Sequence, residues 1–266
     1  MRRWIPFVKS PPLVAVIRLS GLIAAGNRVG ALNDQALAPV IERAFRRGKP
    51  DAVALELNSP GGSPVQSALI AARIRRLAGE RGVKVYAFVE DVAASGGYWL
   101  ACAADEIWVD ESSIVGSIGV ISAGFGFHDF ITRHGIERRL YTAGKSKARL
   151  DPFLPEKPED VARLRELQDS IHAAFIEQVK SRRGSRLSDD PRLFEGEVWT
   201  GRAAVDLGLA DGLGHLVPKM KEILGDKTRF LRYGPRRPFL GRLGAQAAEA
   251  ALSLAEERAA YARLGL

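Results

Sequence analysis

The chain has 266 residues, 46% of them apolar and 26% charged, which suits one large α/β domain or two small ones and excludes a disordered chain. Its single cysteine, Cys102, excludes an intramolecular disulfide and a cysteine metal cluster, and reads as a small buried apolar residue. The net charge of +8 is spread along the chain in pairs such as Arg46/Arg47, Arg75/Arg76 and Arg138/Arg139, with no basic block interleaved with aromatics, so no nucleic-acid partner is expected.

Met1–Lys9 is basic, but no apolar run with a small-residue cleavage site follows, which argues against a signal peptide. Leu13–Ala25 is too short to span a bilayer and carries Arg18, so no transmembrane segment is expected. Within it, Val14–Leu19 reads as a buried strand between Pro12 and Gly21. Asn33 is placed to cap a helix whose apolar face is Leu37, Val40, Ile41, Ala44 and Phe45. Ala52–Leu57 is the next strand. The turn Asn58-Ser59-Pro60-Gly61-Gly62 and a helix from Pro64 to Arg81 follow it. Val83–Val89 is again a strand, with a small-residue turn at Asp91–Gly97, an apolar helix at Tyr98–Ala104 and a strand at Glu106–Val109.

Gly116–Val120 reads as a small-residue strand or turn, Phe127–His134 as a short helix, and Glu137–Tyr141 as a strand leading to Gly144-Lys145-Ser146-Lys147. Pro158–Arg183 predicts a long amphipathic helix with Val161, Leu164, Leu167, Ile171, Phe175 and Val179 on one stripe. A helical hairpin is expected from Gly201 to Leu224. Pro235–Pro238 then forms a linker, and a terminal amphipathic helix carries Leu240, Leu243, Ala247, Ala250, Leu254, Tyr261 and Leu264. Strands alternating with helices predict a largely parallel sheet with helices packed around it. Chemistry in such folds gathers at the carboxyl ends of the strands, where the turns at 58–62 and 91–97 both fall.

Ser95, in Ala93-Ala94-Ser95-Gly96-Gly97, stands between a strand and a helix, where a serine either caps the helix or acts as a nucleophile. Position 93 is alanine, so the motif is not G-x-S-x-G. None of His128, His134, His172 and His215 lies in a comparable turn, and none forms an i, i+4 pair or H-E-x-x-H, so neither a histidine base nor a zinc site is expected. A desolvated lysine can replace histidine as the base. Lys147 by itself reads as a surface lysine. Backbone N–H groups of Gly61 and Gly62, with that of Gly96, could hold an oxyanion, and the same glycines also suit a tight turn.

In order along the chain stand Leu57-Asn58-Ser59-Pro60-Gly61-Gly62, Ala94-Ser95-Gly96-Gly97-Tyr98, Gly116-Ser117-Ile118-Gly119-Val120, and Lys147 with Asp151-Pro152-Phe153. Trp199–Ala204 and Leu207–Asp211 follow. This set resembles the SppA signal peptide peptidase family over about residues 13–214. The resemblance implies an α/β fold of the ClpP/crotonase type, with repeated ββα units and helices packed around the sheet, followed here by the C-terminal amphipathic helix. It implies a serine endopeptidase of the Ser–Lys type, with Ser95 as nucleophile and Lys147 as general base. Lys147 rather than Lys145 matches because the family lysine stands five positions before the proline. Ser117 matches a position that supports the lysine amine, and Gly61 and Gly62 match the oxyanion turn.

The same resemblance implies a peptide substrate, such as a remnant signal peptide, no cofactor and no metal. It also implies a homo-oligomer in which serine and lysine meet across a subunit boundary. The expected domains are a peptidase domain over 1–225 and a basic linker with amphipathic helix over 226–266. Without a visible anchor, the expected location is the cytoplasm or the periphery of the inner membrane, with the terminal helix as a candidate membrane contact. Two other readings remain at this level: a non-catalytic membrane-associated scaffold, and an acyl-CoA hydratase or isomerase of the same fold.

Overall fold

The computed structural model describes residues 10–26, 30–144, 146–234 and 255–266, and it divides into two units, 1–119 with 175–266 and, separately, 120–174. In chain order the first unit contains β1 (Leu13–Ser20), α1 (Asp34–Arg46), β2 (Ala52–Ser59), α2 (Pro64–Arg81), β3 (Lys84–Ala94), α3 (Gly96–Ala101), β4 (Glu106–Val109) and β5 (Ile114–Gly116). The second unit holds α4 (His128–Arg133) and the start of α5 (Pro158–Arg183), whose later turns belong to the first. The first unit then continues through β6 (Val198–Thr200), α6 (Gly201–Asp206), β7 (Gly212–Leu213), α7 (Leu216–Leu224) and β8 (Arg229–Tyr233), and residues 255–262 are helical.

The sheet runs β6-β5-β3-β2-β1-β8, with β4 also on β3 and β7 on β4. Every pairing is parallel except β5 with β6. The central strands are near-continuous apolar runs because both of their faces are covered. Alternation divides them cleanly. Ile17, Leu19, Val53, Leu55, Val85 and Ala87 pack against α1, α2 and α3, whereas Val14, Val16, Ala52, Ala54, Tyr86 and Phe88 meet Leu216 and Met220 of α7. As expected, the Asn33 side chain caps α1 by accepting the Ala36 N–H at 2.8 Å, and α2 occupies the anticipated span.

Several expectations change. The turn expected at 91–97 begins later, because Val92–Ala94 extend β3 by pairing with Ile114–Gly116 of β5. No strand forms at 137–141. The segment is exposed throughout, and among the described residues no strand edge pairs with it. The hairpin expected from Gly201 to Leu224 is instead α6, β7 and α7, since Gly212 and Leu213 pair with Trp108 and Val109 of β4. β8 was not foreseen; it adds to β1, and its short mixed sequence gives a weak strand signal. On α5, Phe175 and Val179 are buried while Leu167 and Ile171 of the same stripe are exposed. The linker at Pro235–Pro238 and the terminal-helix positions Leu240 to Leu254 lie outside the described residues.

Among the described residues of the second unit, Ile131 is the buried large apolar one, while Phe125 is 81% and Tyr141 90% exposed. Phe127 stacks on Phe153 at 5.6 Å, the Phe127 N–H donates to Pro152 O at 2.6 Å, and Arg138 pairs with Asp151 at 3.0 Å. These local contacts shape the segment containing Lys147.

Behind the sheet, Arg183 on α5 is 2% exposed and pairs with Asp211 at 2.7 Å, while its Nε donates to Gly208 O. Burial pushes the Asp211 carboxyl up, but Arg183, the Ile107 N–H and Arg186 outweigh it and hold the pKa below its ordinary value. Asp211→Asn leaves the Arg183 guanidinium buried without its carboxylate and is expected to cost about 3 kcal/mol at neutral pH. Since the folded pKa is depressed, that stabilisation is complete above the ordinary aspartate pKa of about 3.9 and is lost as pH falls through the folded value. Urea unfolding of wild type and variant should therefore differ at neutral pH and converge in acid.

Candidate active site

The site begins with an irregularity between β2 and β3. Leu57 pairs with Val89 and Ser59 with Ala93, so Asn58 alone faces the three residues Glu90–Val92. A bulge bends its strand and is a common way to re-aim the residues that follow. Here it frees the end of β3 to leave β4 and pair with β5. Asn58 bridges the gap, its Nδ2 donating to Asp91 Oδ2 at 2.6 Å.

Beyond the last β3–β5 pair, Ala94 with Gly116, each strand continues into a serine at positive φ: Ser95 at 50° and Ser117 at 53°. The Ser95 N–H donates to Gly116 O at 2.8 Å, and its carbonyl accepts the N–H groups of Tyr98 and Trp99. Ser95 has ψ −122° and stands at the N-cap position of α3, but its side chain makes no capping bond, so the hydroxyl does not cap the helix as its sequence position also allowed. It occupies a half-buried position in a sharp strand-to-helix turn, and its hydroxyl has no hydrogen-bond partner among the described residues, the geometry of a nucleophile elbow built without the usual first glycine.

The Gly61–Gly62 turn lies against this elbow. A Cβ on Gly61 would stand 2.8 Å from Ala94 O, Gly96 N and Ser95 Cβ, and one on Gly62 would overlap Ile23 O. Their φ values of 102° and 135° also require glycine. A Cβ on Gly96 would stand 3.4 Å from Gly62 N and would overlap Ser67 Oγ, while one on Gly97 would overlap Ser59 O. Ser59 Oγ donates to Gly21 O at 2.7 Å and accepts the Gly61 N–H at 3.3 Å. Ser95, Gly61, Gly62 and Gly96 are thus brought together, with Ser117 one residue past the carbonyl that holds Ser95. Ser59 and Gly97 stood in the sequence only as members of their motifs, and Ser67 and Ile23 were passed over, because these supporting roles depend on contacts across three strands.

Lys147 belongs to the second unit, where it is exposed and its N–H donates to Gly144 O at 3.2 Å. Asp151, four residues on, accepts the Phe153 N–H, and this bond with the Arg138 guanidinium holds its carboxyl below the usual range. Cys102 is buried, as expected, and burial pushes its thiol up to about 12, which leaves it unreactive. A cavity of about 570 Å³ on the α7 side, lined by Glu56, Phe88, Glu90, Asp110 and Leu216, contains none of the four elbow and turn residues.

The positive φ at Ser95 is a local strain that a residue without Cβ does not feel. Ser95→Gly is expected to be about 1 kcal/mol more stable than Ser95→Ala, measured by chemical unfolding of both variants. Equal stabilities would show an unstrained elbow.

Several known proteins are similar to this chain. The sodium/proton antiporter NhaA of Brucella melitensis is 48% identical over 271 residues, covering 95% of this chain and 37% of that protein. The chloroplastic serine protease SPPA of Arabidopsis thaliana is 30% identical over 211 residues, covering 76% of this chain and 31% of that protein. The chain therefore spans about a third of the length of these curated relatives. A solved structure of the membrane-bound stomatin-specific protease 1510-N, a variant in complex with a substrate peptide, superposes with a TM-score of 0.54 at 14% identity, covering 92% of this chain and 99% of that one. That likeness bears out the ClpP-like α/β fold. The family model for peptidase family S49 matches residues 78–223, which contain the Ser95 elbow, Ser117 and Lys147, and the chain belongs to that family.

Proposed function

We propose that this chain is a serine endopeptidase working through Ser95 and Lys147. The observation that carries the reading is the free, positive-φ Ser95 held 2.8 Å from the place a Gly61 Cβ would take, with Gly62 and Gly96 at its side. In the reaction, a neutral Lys147 amine takes the Ser95 proton as Oγ attacks the peptide carbonyl. The N–H groups of Gly62 and Gly96 receive the oxyanion. Gly61, whose own N–H turns to Ser59 Oγ, contributes the close approach rather than the stronger donor bond. The tetrahedral intermediate collapses as Lys147 protonates the departing amine. Water, deprotonated by Lys147, then cleaves the acyl-serine ester. The Ser117 hydroxyl orients the amine.

A base of this type needs to be shielded from water, and Lys147 is exposed in the single chain. The second unit also leaves the large apolar side chains of Ile121, Phe125, Phe130 and Tyr141 exposed, the aromatic ones of the kind enriched at protein–protein contacts. Both features support a homo-oligomer in which a neighbouring copy covers Lys147 and the dyad is completed between protomers. The small residues around Ser95 favour extended peptides with small or apolar side chains at the cut. The substrates would be unstructured or membrane-derived peptides such as remnant signal peptides, met in the cytoplasm or at the inner-membrane periphery. Among the described residues no helix is long and apolar enough to cross a membrane.

A fluorophosphonate probe is expected to label Ser95, and both Ser95→Ala and Lys147→Ala should lose cleavage of unstructured peptides. Mixed oligomers of the two inactive variants should recover part of the activity. Recovery failing in verified mixed oligomers would overturn the shared site. Absence of both labelling and cleavage in a verified wild-type oligomer would instead favour a scaffold.

A further inference from the structure

The chain's last helical segment touches the site at one point that the reaction scheme leaves unused. Tyr261 Oη donates to Asn58 O at 2.9 Å and lies 3.4 Å from Asn58 Oδ1. We propose that Tyr261 is a positioning residue of the Ser95 site, holding Asn58 so that the β2–β3 bulge sets the Gly61–Gly62 turn against Ser95. The proposal rests on the peptidase reading and adds to it a residue outside the family's matched segment, which ends at residue 223.

Asn58 has an unusual set of duties. It is the single β2 residue opposite Glu90–Val92, its Nδ2 holds Asp91, and its carbonyl also accepts the Gly21 N–H at 2.9 Å. Gly21 in turn receives Ser59 Oγ, the group that accepts the Gly61 N–H. Tyr261 therefore enters at the first link of a continuous path: Tyr261 to Asn58, Asn58 to Gly21 and Asp91, Gly21 to Ser59, and Ser59 to Gly61. A carbonyl accepting two hydrogen bonds has both lone pairs engaged, which fixes the peptide plane just before the turn.

Two further contacts show that the segment is fitted here. A Cβ on Gly21 would stand 3.3 Å from Glu257 Oε1, so the helix approaches closely where β1 ends. Leu266 lines the same cavity as Glu90 and Asp91, so the chain continues along the β3 side of the bulge. Burial, with the charges of Glu257, Asp91 and Glu90, pushes the Tyr261 phenol up to about 12, and the hydroxyl remains a donor at any ordinary pH.

The test compares the full-length wild type with Tyr261→Phe, which removes only the donor. Tyr233→Phe serves as the control, because the buried Tyr233 hydroxyl, on β8, has no hydrogen-bond partner among the described residues. For Tyr261→Phe, fluorophosphonate labelling of Ser95 and kcat should fall about fivefold to tenfold, the worth of one hydrogen bond, while KM stays within about twofold. Amide exchange in residues 57–63 should quicken, and the unfolding midpoint should move no more than in Tyr233→Phe. Unchanged labelling and exchange would overturn the proposal, as would a rate loss that only follows a loss of folded protein. If wild type itself neither labels nor cleaves, the peptidase reading fails, and exchange at 57–63 still decides whether Tyr261 holds the turn.

Discussion

The site depends on two stretches of backbone packed closer than any side chain would allow. Gly61 and the Ser95–Gly96 step meet where a single Cβ would stand 2.8 Å from three atoms at once, and Gly62 and Gly97 are pressed against Ile23 and Ser59 in the same way. Backbone N–H groups can converge on one point only if their own chains come this near. The contact imposes glycine at these four positions, a bulge at Asn58 to bring β2 and β3 into the right relation, and a short α3, buried except at the half-buried Trp99, to hold the second turn from behind.

Strain and support are balanced locally. Ser95 and Ser117 both adopt positive φ, a conformation worth about 1–3 kcal/mol of strain each in a residue with a Cβ. The conformation persists because the residues before them are locked in a strand pair, Ala94 with Gly116, and because Tyr98 after Ser95 is buried with its hydroxyl bonded to Leu209 O. The two-faced core of β1, β2 and β3 supplies the rigidity that such a turn needs. This explains why the most apolar strands of the chain run directly into its most glycine-rich turns.

The second unit follows different physics. Its order comes from local helices and turns, contacts between aromatic rings and Arg–Asp pairs such as Arg138–Asp151 and Arg149–Asp160, while most of its large apolar side chains remain at the surface. A segment of this kind is poorly stabilised by its own interior, and burial against another surface would contribute where its own core cannot. Lys147 sits in this segment, whereas Ser95 stands on the well-packed core of the first unit.

Much of the architecture was legible in the sequence because it is encoded by local periodicity. The apolar runs of β1 and β2, the Asn33 cap and the 3.6-residue face of α1 each specify their own element. The ordered glycine and serine motifs marked Ser95, Gly61, Gly62 and Gly96, and the structure brings those four together. What the sequence could not express was register. The extension of β3 onto β5, the arrival of β8 beside β1, the failure of 137–141 to form a strand, and the contact of Tyr261 with Asn58 all turn on which distant segments meet. Whether Ser95 caps its helix or offers a free hydroxyl was likewise decided by its φ and ψ, which the bulge and the Gly116 carbonyl impose from other strands. Local pattern determines which elements form; pairing across long sequence separations determines where a side chain points, and only the tertiary structure contains it.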